Sequence, residues 1–408
     1  MSSRPCEQAC CNHAVDNDCI TIQTVCEYRC NMSHLPRQEE RTDGYRIQQF
    51  TQDHLDGFLA LHELTYGGHP STALFEWRYN SPYLDEIPIF VAVDDSDTVV
   101  GATAFLPFRI AAGGTTALAL QPANAMVHPD HRRNGLFSRT LTSAIDHYED
   151  SNAEFFFNFP TAPALPALTK LGWKEVGTVP TWFRLQRPVE VLDGAVPEWI
   201  TPAASRISTT LAKAHNRIRR GFATGDASVD VQRYDELPVG LFTELYEENA
   251  PEHIHVVKDR AFFEWRFGNP EWDTVSYVAR REGHPVAGLV ACTRKADGIT
   301  ATALMSVLPP AGADPDTDAL VVLLDAVVGD HRDVDVIRVS ESSLPTSILE
   351  RFGFLSNHAF PLSRVANKTH LVTRPIVDDA EHKWYLGEHL VTSQNQWAVE
   401  LADQDAPF

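Results

Sequence analysis

The stretch Asn124-Ala-Met-Val-His-Pro-Asp-His-Arg-Arg-Asn-Gly-Leu-Phe137 decides the fold expected of this chain. Its pattern predicts a strand, a polar loop that contains a glycine, and the start of a helix. Such a turn points successive backbone N–H groups and the positive end of the helix at one place. Gly135 allows close approach of the backbone, and Arg132 and Arg133 add positive charge. The stretch therefore predicts an anion-binding cradle, and the absence of G-x4-G-K-[ST] excludes a Walker loop.

Hydrophobic periodicity on both sides of this stretch predicts a mixture of strands and helices. A bulge is expected at Gln121 and Pro122, since proline interrupts a strand ladder. The predicted strands are residues 45–50, 89–93, 98–110, 115–127, 154–159 and 174–185, and the predicted helices are 52–66, 136–149 and 163–171.

The stretch resembles the signature of the GNAT acyltransferase superfamily, which is a strand ending Val-x-Pro, then [Gln/Arg]-x-x-Gly-x-[Gly/Ala], then a helix. Here Val127-His128-Pro129 is followed by Arg132-Arg133-Asn134-Gly135-Leu136-Phe137. The resemblance covers residues 44–190 clearly and residues 228–375 as a degenerate copy. It implies an α/β (α+β) protein of two tandem GNAT-like domains, each a mixed, mostly antiparallel twisted sheet flanked by helices.

The resemblance also implies a reaction, in which an acyl group, most simply acetyl, moves from acetyl-CoA to an amine by direct attack and without a metal. In the family, the loop amides hold the pyrophosphate, the preceding strand pairs with the pantetheine arm, and one of its N–H groups polarises the thioester carbonyl. The cofactor-binding residues implied in this chain are Ala125, Met126, Val127, Arg132, Arg133, Asn134, Gly135, Leu136, Phe137 and Ser138.

Two positions depart from the family pattern. Phe137 replaces the last small residue of the motif, so its side chain is expected to point into the core. Leu168 stands where many members have a tyrosine that protonates the leaving thiolate, so no general acid can be carried over. Because a CoA thiolate is a good leaving group, an acid can be dispensable.

Three residues are candidate catalytic groups. His128 is a candidate base, because imidazole titrates near neutral pH; its alternative is a loop histidine near the cofactor. Glu76, expected near the start of a strand, is a candidate acidic group on the acceptor side, although Glu264 occupies the same place in the second copy, which favours a structural role. Asn158, like Asn124, is expected to flank the cleft and orient substrate or to hydrogen-bond in the core.

Five segments of the first half recur in order in the second half, which predicts a duplication. After Pro309, however, the second copy has no arginine and three aspartates, which would repel a pyrophosphate. We therefore expect one acyl-CoA site, with the acceptor pocket where the two copies meet, as in other tandem acyltransferases such as the Fem peptidyltransferases and N-myristoyltransferases. The repeated pairs are 75–79 with 263–267, 90–93 with 277–280, Gly101 with Gly288, 126–129 with 306–309, and 171–173 with 352–354.

These observations divide the chain into five parts. Residues 1–43 form a tail that holds six of the seven cysteines, interpreted as a disordered or mis-annotated segment, with a metal or redox site as the alternative. Residues 44–190 are the GNAT domain with the acyl-CoA site, and 228–376 are the degenerate copy. Residues 191–227 are a linker with a basic helix, either solvated or a contact for an anion or partner, and 377–408 are a C-terminal extension.

Composition limits the partners. A net charge of −21 disfavours nucleic acid and anionic membranes, and no apolar run is long enough to span a membrane or to act as a secretory signal. Few lysines among many acidic residues suggest a halophilic cytoplasmic protein, with high-GC codon usage as the alternative. The expected acceptor is a small-molecule or peptide amine. The alternatives are a non-catalytic acyl-CoA-binding or interaction protein and a Fem-like aminoacyl or peptidyl transferase.

Overall fold

The structure is a computed structural model, which describes residues 41–42, 44–68, 70–187, 228–296, 298–310, 315–364, 366–376 and 384–405. The cysteine-rich tail up to residue 40 and the basic linker helix lie outside these residues, so their predicted roles stay predictions. Within the described residues, no helix is long and apolar enough to cross a membrane.

Most of the first half builds one mixed sheet. Its strands run in the order β1-β2-β3-β4-β5-β6-β16-β7, and a short strand, β10, pairs with the far end of β4. Among the described strands of this sheet, only β5 and β6 pair in parallel. The bounds are β1 Arg41–Thr42, β2 Tyr45–Gln49, β3 Ile89–Asp94, β4 Val99–Ala112, β5 Thr115–Val127, β6 Ala153–Asn158, β7 Lys174–Val179, β10 His255–Val256 and β16 Thr369–Pro375.

The second half builds a similar sheet, in the order β15-β8-β14-β13-β12-β11-β9. Here too a single pair, β13 with β14, is parallel. A separate hairpin follows near the C-terminus. The bounds are β8 Thr181–Leu185, β9 Val229–Tyr234, β11 Asp273–Arg281, β12 His284–Ala296, β13 Ile299–Leu308, β14 Val336–Ser340, β15 Leu355–Ser356, and β17 Tyr385–Leu386 with β18 His389–Leu390.

Helices cover both sheets. The described α-helices are α1 Leu55–Tyr66, α2 Thr72–Tyr79, α3 Leu136–Tyr148, α4 Leu165–Lys170, α5 Val239–Glu247, α6 Arg260–Arg266, α7 Thr317–Asp330 and α8 Thr346–Arg351. Alternation along β3 explains the layering: Ile89 and Val91 face α1 and α2, whereas Phe90 faces α3. The predicted fold class, mixed sheets flanked by helices, is confirmed.

The two sheets exchange a strand. β8 follows directly after β7 in sequence but pairs with β14 and β15 of the second sheet. Conversely, β16 comes from the second half and lies between β6 and β7 of the first sheet. A boundary at residue 190 therefore does not coincide with the division between the sheets, and residues 181–185 and 369–375 each complete the other half's sheet.

Two local expectations were wrong. The bulge lies at Asn124 and Ala125 rather than at Gln121 and Pro122, since Ala102 pairs with Met126 but Ala104 pairs with Ala123. Asn124 has a φ of 45°, and this left-handed conformation accommodates the extra residue. Glu76, expected near the start of a strand, lies within α2 instead.

Candidate functional site

The strands β5 and β6 separate halfway along their length. They pair in parallel only at Leu118, Ala119 and Leu120, whose partners are Ala153, Phe155 and Phe156. Beyond Leu120 the described pairings of β5 are with β4 alone, while the other edge of β6 pairs with β16. A strand offers N–H and C=O groups to both sides, so the remainder of β5 presents an open edge to which an extended molecule can add.

The loop after this open edge forms the expected cradle. Arg133 and Gly135 both have positive φ, 70° and 71°, so the backbone turns sharply twice before α3 begins. No side chain caps the N-terminus of α3, and the first amides of a helix lack intrahelical partners. Arg132 and Arg133 are exposed, whereas Leu136, at the start of α3, is buried and Phe137 and Ser138 are half-buried. The loop therefore has the unpaired donors and positive charge that bind a phosphate.

Tyr45 of β2 holds the cradle in place. Asn134 donates its side-chain N–H to the Tyr45 hydroxyl at 3.0 Å and to the carbonyl of His131 at 3.1 Å. Arg139 donates to the backbone carbonyl of Tyr45 at 3.2 Å. Phe137 packs against the cluster that contains Leu141 and Phe156, which confirms that its side chain points into the core. Because Phe137 points into the core, its side chain does not obstruct the loop.

A polar cluster surrounds the bulge of β5, at the start of the open edge. Arg78 of α2 donates to the side-chain oxygen of Asn124 at 3.2 Å, and the Tyr66 hydroxyl donates to the carbonyl of Ala125 at 3.2 Å. Burial, and then the positive charge of Arg78, lower the pKa of His62. Burial raises the pKa of Tyr79, on the same helix as Arg78, to about 12. Near pH 7 this cluster therefore combines a neutral imidazole, a neutral phenol and a guanidinium.

The cluster also contacts the C-terminal end of the described chain. Gln121 donates its side-chain N–H to the carbonyl of Asp403 at 2.8 Å, and Arg78 donates to the carbonyl of Asp405 at 3.5 Å. The sequence did not predict that Arg78 and Gln121 contact this end of the chain. The sequence signal for these contacts was the repeated Glu-Trp-Arg. Arg266, the counterpart of Arg78 in that repeat, also contacts this end of the chain, through the carbonyl of Ala402.

The three candidate catalytic residues do not come together. His128 accepts the N–H of Asp130 at its Nδ1, at 3.3 Å, and so caps the turn before the cradle. Neutral histidine in that tautomer carries its proton on Nε2, so His128 has no free basic nitrogen unless this bond breaks. Glu76 is exposed on α2, and the side chain of Asn158 accepts the N–H of Phe159 at the end of β6.

A separate cleft of about 490 Å³ lies between the segment after α2 and helix α6. It is at the junction of the two halves, and its walls include Asn80, Ser81 and Pro82. Residues 84–87 of the same segment also line it, and the opposite wall comes from α6, through Ala261, Glu264 and Trp265, and not from inner strands of the second sheet. No residue of β5 lines this cleft. An acceptor bound in the cleft would therefore have to extend beyond it to reach the bulge of β5.

The second half differs at the position of the cradle. Helix α7 follows β13 as α3 follows β5, but Asp316 caps it by accepting the N–H of Ala319 at 3.0 Å. Arg281 pairs with that carboxylate at 2.8 Å. The positive end of α7 is therefore already occupied by a carboxylate, whereas that of α3 is open. Residues 311–314 of this turn lie outside the described part of the chain.

Comparisons with known proteins agree with this geometry. Residues 46–176 match the family model described as "Acetyltransferase (GNAT) domain". No curated protein matches the chain. Three similar solved structures are a GCN5-related N-acetyltransferase from Anabaena variabilis, one from Kribbella flavida, and N-myristoyltransferase from Saccharomyces cerevisiae with bound myristoyl-CoA.

These likenesses extend over both halves of the chain. The Anabaena protein has 12% identity and a TM-score of 0.53, over 81% of this chain and 73% of its own. For the Kribbella protein the values are 15%, 0.51, 82% and 71%. For the yeast enzyme they are 11%, 0.56, 84% and 81%. Identities this low show the fold alone. The family model identifies residues 46–176 as a GNAT acetyltransferase domain.

Proposed function

We propose that this protein is an acetyl-CoA-dependent N-acetyltransferase whose acyl-CoA site lies in its first half. The observation that carries the proposal is the continuity of the open edge of β5 with the uncapped start of α3. The edge suits an extended pantetheine arm, and the uncapped amides at the start of α3, with Arg132 and Arg133, suit a pyrophosphate. Residues 125–127 would pair with the arm, and residues 132–138 would hold the phosphates.

In the proposed reaction a neutral amine attacks the thioester carbonyl carbon. The carbonyl electrons move onto oxygen, where a backbone N–H of β5 stabilises the charge. Collapse breaks the C–S bond and releases CoA as thiolate, and the amine proton passes to a base or to water. No covalent enzyme intermediate is needed. Leu168, where a donor would be expected, is buried, so the thiolate would leave without an acid from that position.

The proposed acceptor is a small-molecule or peptide amine whose reacting nitrogen lies at the bulge. Of the three candidate catalytic residues, His128 is the proposed base, and because its Nδ1 accepts the N–H of Asp130, that hydrogen bond must break before it can take the amine proton. The net charge of −21 favours a cationic amine over a nucleic-acid or anionic partner. A cytoplasmic location and adaptation to high salt are part of this proposal.

We further infer that the second half is a degenerate GNAT-like copy. Trp77 and Trp265, 188 residues apart, donate to each other's carbonyl oxygens at 2.6 and 2.8 Å. Gly172 and Gly353 end α4 and α8 with similar positive φ, 84° and 76°. These reciprocal contacts and the exchange of β8 and β16 support two related units that share one interface.

Thiol release tests the proposal. The full chain is incubated with acetyl-CoA and a panel containing a polyamine, an amino sugar, a lysine peptide and a free peptide N-terminus. Release of CoA that depends on one of these amines, with an N-acetylated product, supports the transferase. The alternative, motivated by Leu168, is an acyl-CoA-binding protein without activity; saturable acetyl-CoA binding without product from any amine would favour it. Myristoyl-CoA as competitor tests the acyl chain.

A further inference from the structure

A buried cluster of three charged side chains in the second half has no part in the reaction described so far. The ammonium of Lys258 lies 3.1 Å from a carboxylate oxygen of Glu400 and 2.7 Å from one of Asp403. Their side chains are 3%, 6% and 3% exposed. Burial alone would lower the pKa of Lys258, but the two carboxylates outweigh burial and raise it, so the lysine stays charged. Such clusters add little net stability and are better explained by the geometry that they impose.

The cluster fixes the C-terminal segment, defined here as residues 399–405, in an opening of the second sheet. Strands β13 and β14 pair from Ala301 to Leu304 only, although β13 continues to Leu308. Past that point, Glu400 accepts the backbone N–H of Val307 at 2.9 Å and the hydroxyl of Ser306 at 2.8 Å. From the side of β14, the hydroxyl of Ser340 donates to the carbonyl of Val399 at 2.5 Å. The C-terminal segment therefore bridges the two separated strands.

This opening corresponds to the one between β5 and β6 in the first sheet. In both sheets the single parallel pair separates partway along, and in both the first strand of the pair leads into a helix. The edge of β5 is open to a ligand, whereas the edge of β13 is satisfied by a carboxylate of the chain itself. The opening in the second sheet is therefore filled by the C-terminal segment of the same chain.

From there the C-terminal segment runs to the bulge of β5. Arg266 donates to the carbonyls of Ala402 and Gln404, and Gln121 of β5 donates to the carbonyl of Asp403. Arg78, which holds Asn124 at the bulge, donates to the carbonyl of Asp405. The two arginines of the repeated Glu-Trp-Arg therefore both hold this segment, which ends beside the point where the thioester and amine would meet.

We propose that the C-terminal segment is a fixed wall of the acceptor site, and that Lys258, Glu400 and Asp403 are positioning residues that hold it there. The second half then contributes to the reaction through this segment, and each chain binds one acyl-CoA. This inference rests on the proposed function, because it assumes that the amine reacts at the bulge of β5. It adds that the C-terminal segment lies on the side of the bulge that receives the amine.

The test compares Glu400→Gln with Glu350→Gln in the full chain. Glutamine keeps the shape of Glu400 but removes the charge that pairs with Lys258. Glu350 is an exposed residue on α8, away from the junction cleft, so its variant controls for the same substitution outside the cluster. For Glu400→Gln we expect an unchanged Kd for acetyl-CoA and at least a tenfold loss of kcat/KM for the active amine, carried by KM. Wild-type values in Glu350→Gln are expected. Unchanged amine kinetics in a folded Glu400→Gln would overturn the proposal.

Hydrogen exchange of the unaltered chain gives a second readout that needs neither a variant nor an active amine. Saturation with acetyl-CoA is expected to slow exchange in peptides that cover residues 399–405, because the acetyl end would lie against them. Calorimetry is expected to give one acetyl-CoA per chain. Binding without any change in these peptides, or a stoichiometry of two, would contradict the inference. Absence of acetyl-CoA binding would instead refute the proposed function.

Discussion

Gly135 offers the sharpest test of where acyl-CoA binds. Its φ of 71° places it in the left-handed region, and a Cβ added there would meet no atom within 4 Å. A side chain at this position therefore projects into open space at the start of α3 and adds backbone strain of ~1 to 2 kcal/mol, least for asparagine and aspartate. Gly135→Asn and Gly135→Asp share that strain and shape, and they differ by one negative charge.

The size of the charge effect follows from Coulomb's law. Two unit charges about 6 Å apart interact by about 3 kcal/mol at an effective dielectric constant of 20. The Asp variant is therefore expected to bind acetyl-CoA at least tenfold more weakly than the Asn variant, where a factor of ten is about 1.4 kcal/mol. Because salt screens exposed charges, the difference should shrink at high ionic strength.

Isothermal titration of both variants with acetyl-CoA measures this difference, and thermal unfolding checks that they are equally folded. Asp316→Asn, at the start of α7, is the matched control in the second half and should leave acetyl-CoA affinity unchanged. Equal affinities of Gly135→Asp and Gly135→Asn at low salt would refute the assignment of the cradle.

Four further changes have expected outcomes. Arg132→Ala should weaken acetyl-CoA binding roughly tenfold in the same titration, since charge-assisted hydrogen bonds contribute about 1.5 to 3 kcal/mol; an unaltered Kd would contradict the contact. Burial lowers the pKa of His255 to about 4, so its neutral form stabilises the fold above pH 6.5 and this contribution is lost as pH falls from 6.5 toward 4. His255→Gln should therefore lose less free energy of unfolding over that range than wild type, by at most about 3 kcal/mol in denaturant titrations; parallel curves would count against it. Truncation after Gln186 should fail to give a cooperatively folded domain by calorimetry, because β16 is then missing between β6 and β7; a sharp transition would show that the exchanged strand is dispensable. Deletion of residues 1–31 should leave Tm and acetyl-CoA affinity intact, and loss of a stoichiometric metal would show a structured tail instead.

The sequence predicted the local features of the first sheet because those features are encoded locally. The loop with Gly135 and the helix that follows need only short-range turn chemistry and periodicity. The orientation of Phe137 followed from the phosphate-facing role expected of its neighbours. These elements agree with the structure to within a few residues at their ends.

The strand exchange could not be predicted in the same way. In the sequence, β7 and β8 resemble one strand that is interrupted at Pro180. Nothing in their residue pattern indicates that β8 pairs with β14. Pairing partners far apart in sequence are set by the whole packing of both sheets. Truncation at the end of the first half would therefore remove β16 from the first sheet.

The polar cluster at the bulge was missed for a related reason. Asn124 and Gln121 are near in sequence, but their partners Arg78 and Asp403 come from a helix and from the C-terminal segment. The repeat of Glu-Trp-Arg singled out Arg78 and Arg266, but it did not indicate that either residue contacts the C-terminal segment. Trp77 and Trp265 lie in the repeated segments, but the repeat did not indicate that they hydrogen-bond to each other's carbonyl oxygens.

Transfer of labelled acetyl groups tests the central claim most directly. The full chain is incubated with acetyl-CoA carrying ¹³C at the carbonyl carbon and with the amine panel, and the label is followed by NMR and mass spectrometry. The account predicts that the label appears in an amide of one amine, with equimolar free CoA and no acetylated protein. Label that stays in bound acetyl-CoA, is released only as acetate, or is found on the protein would contradict direct N-acetyl transfer.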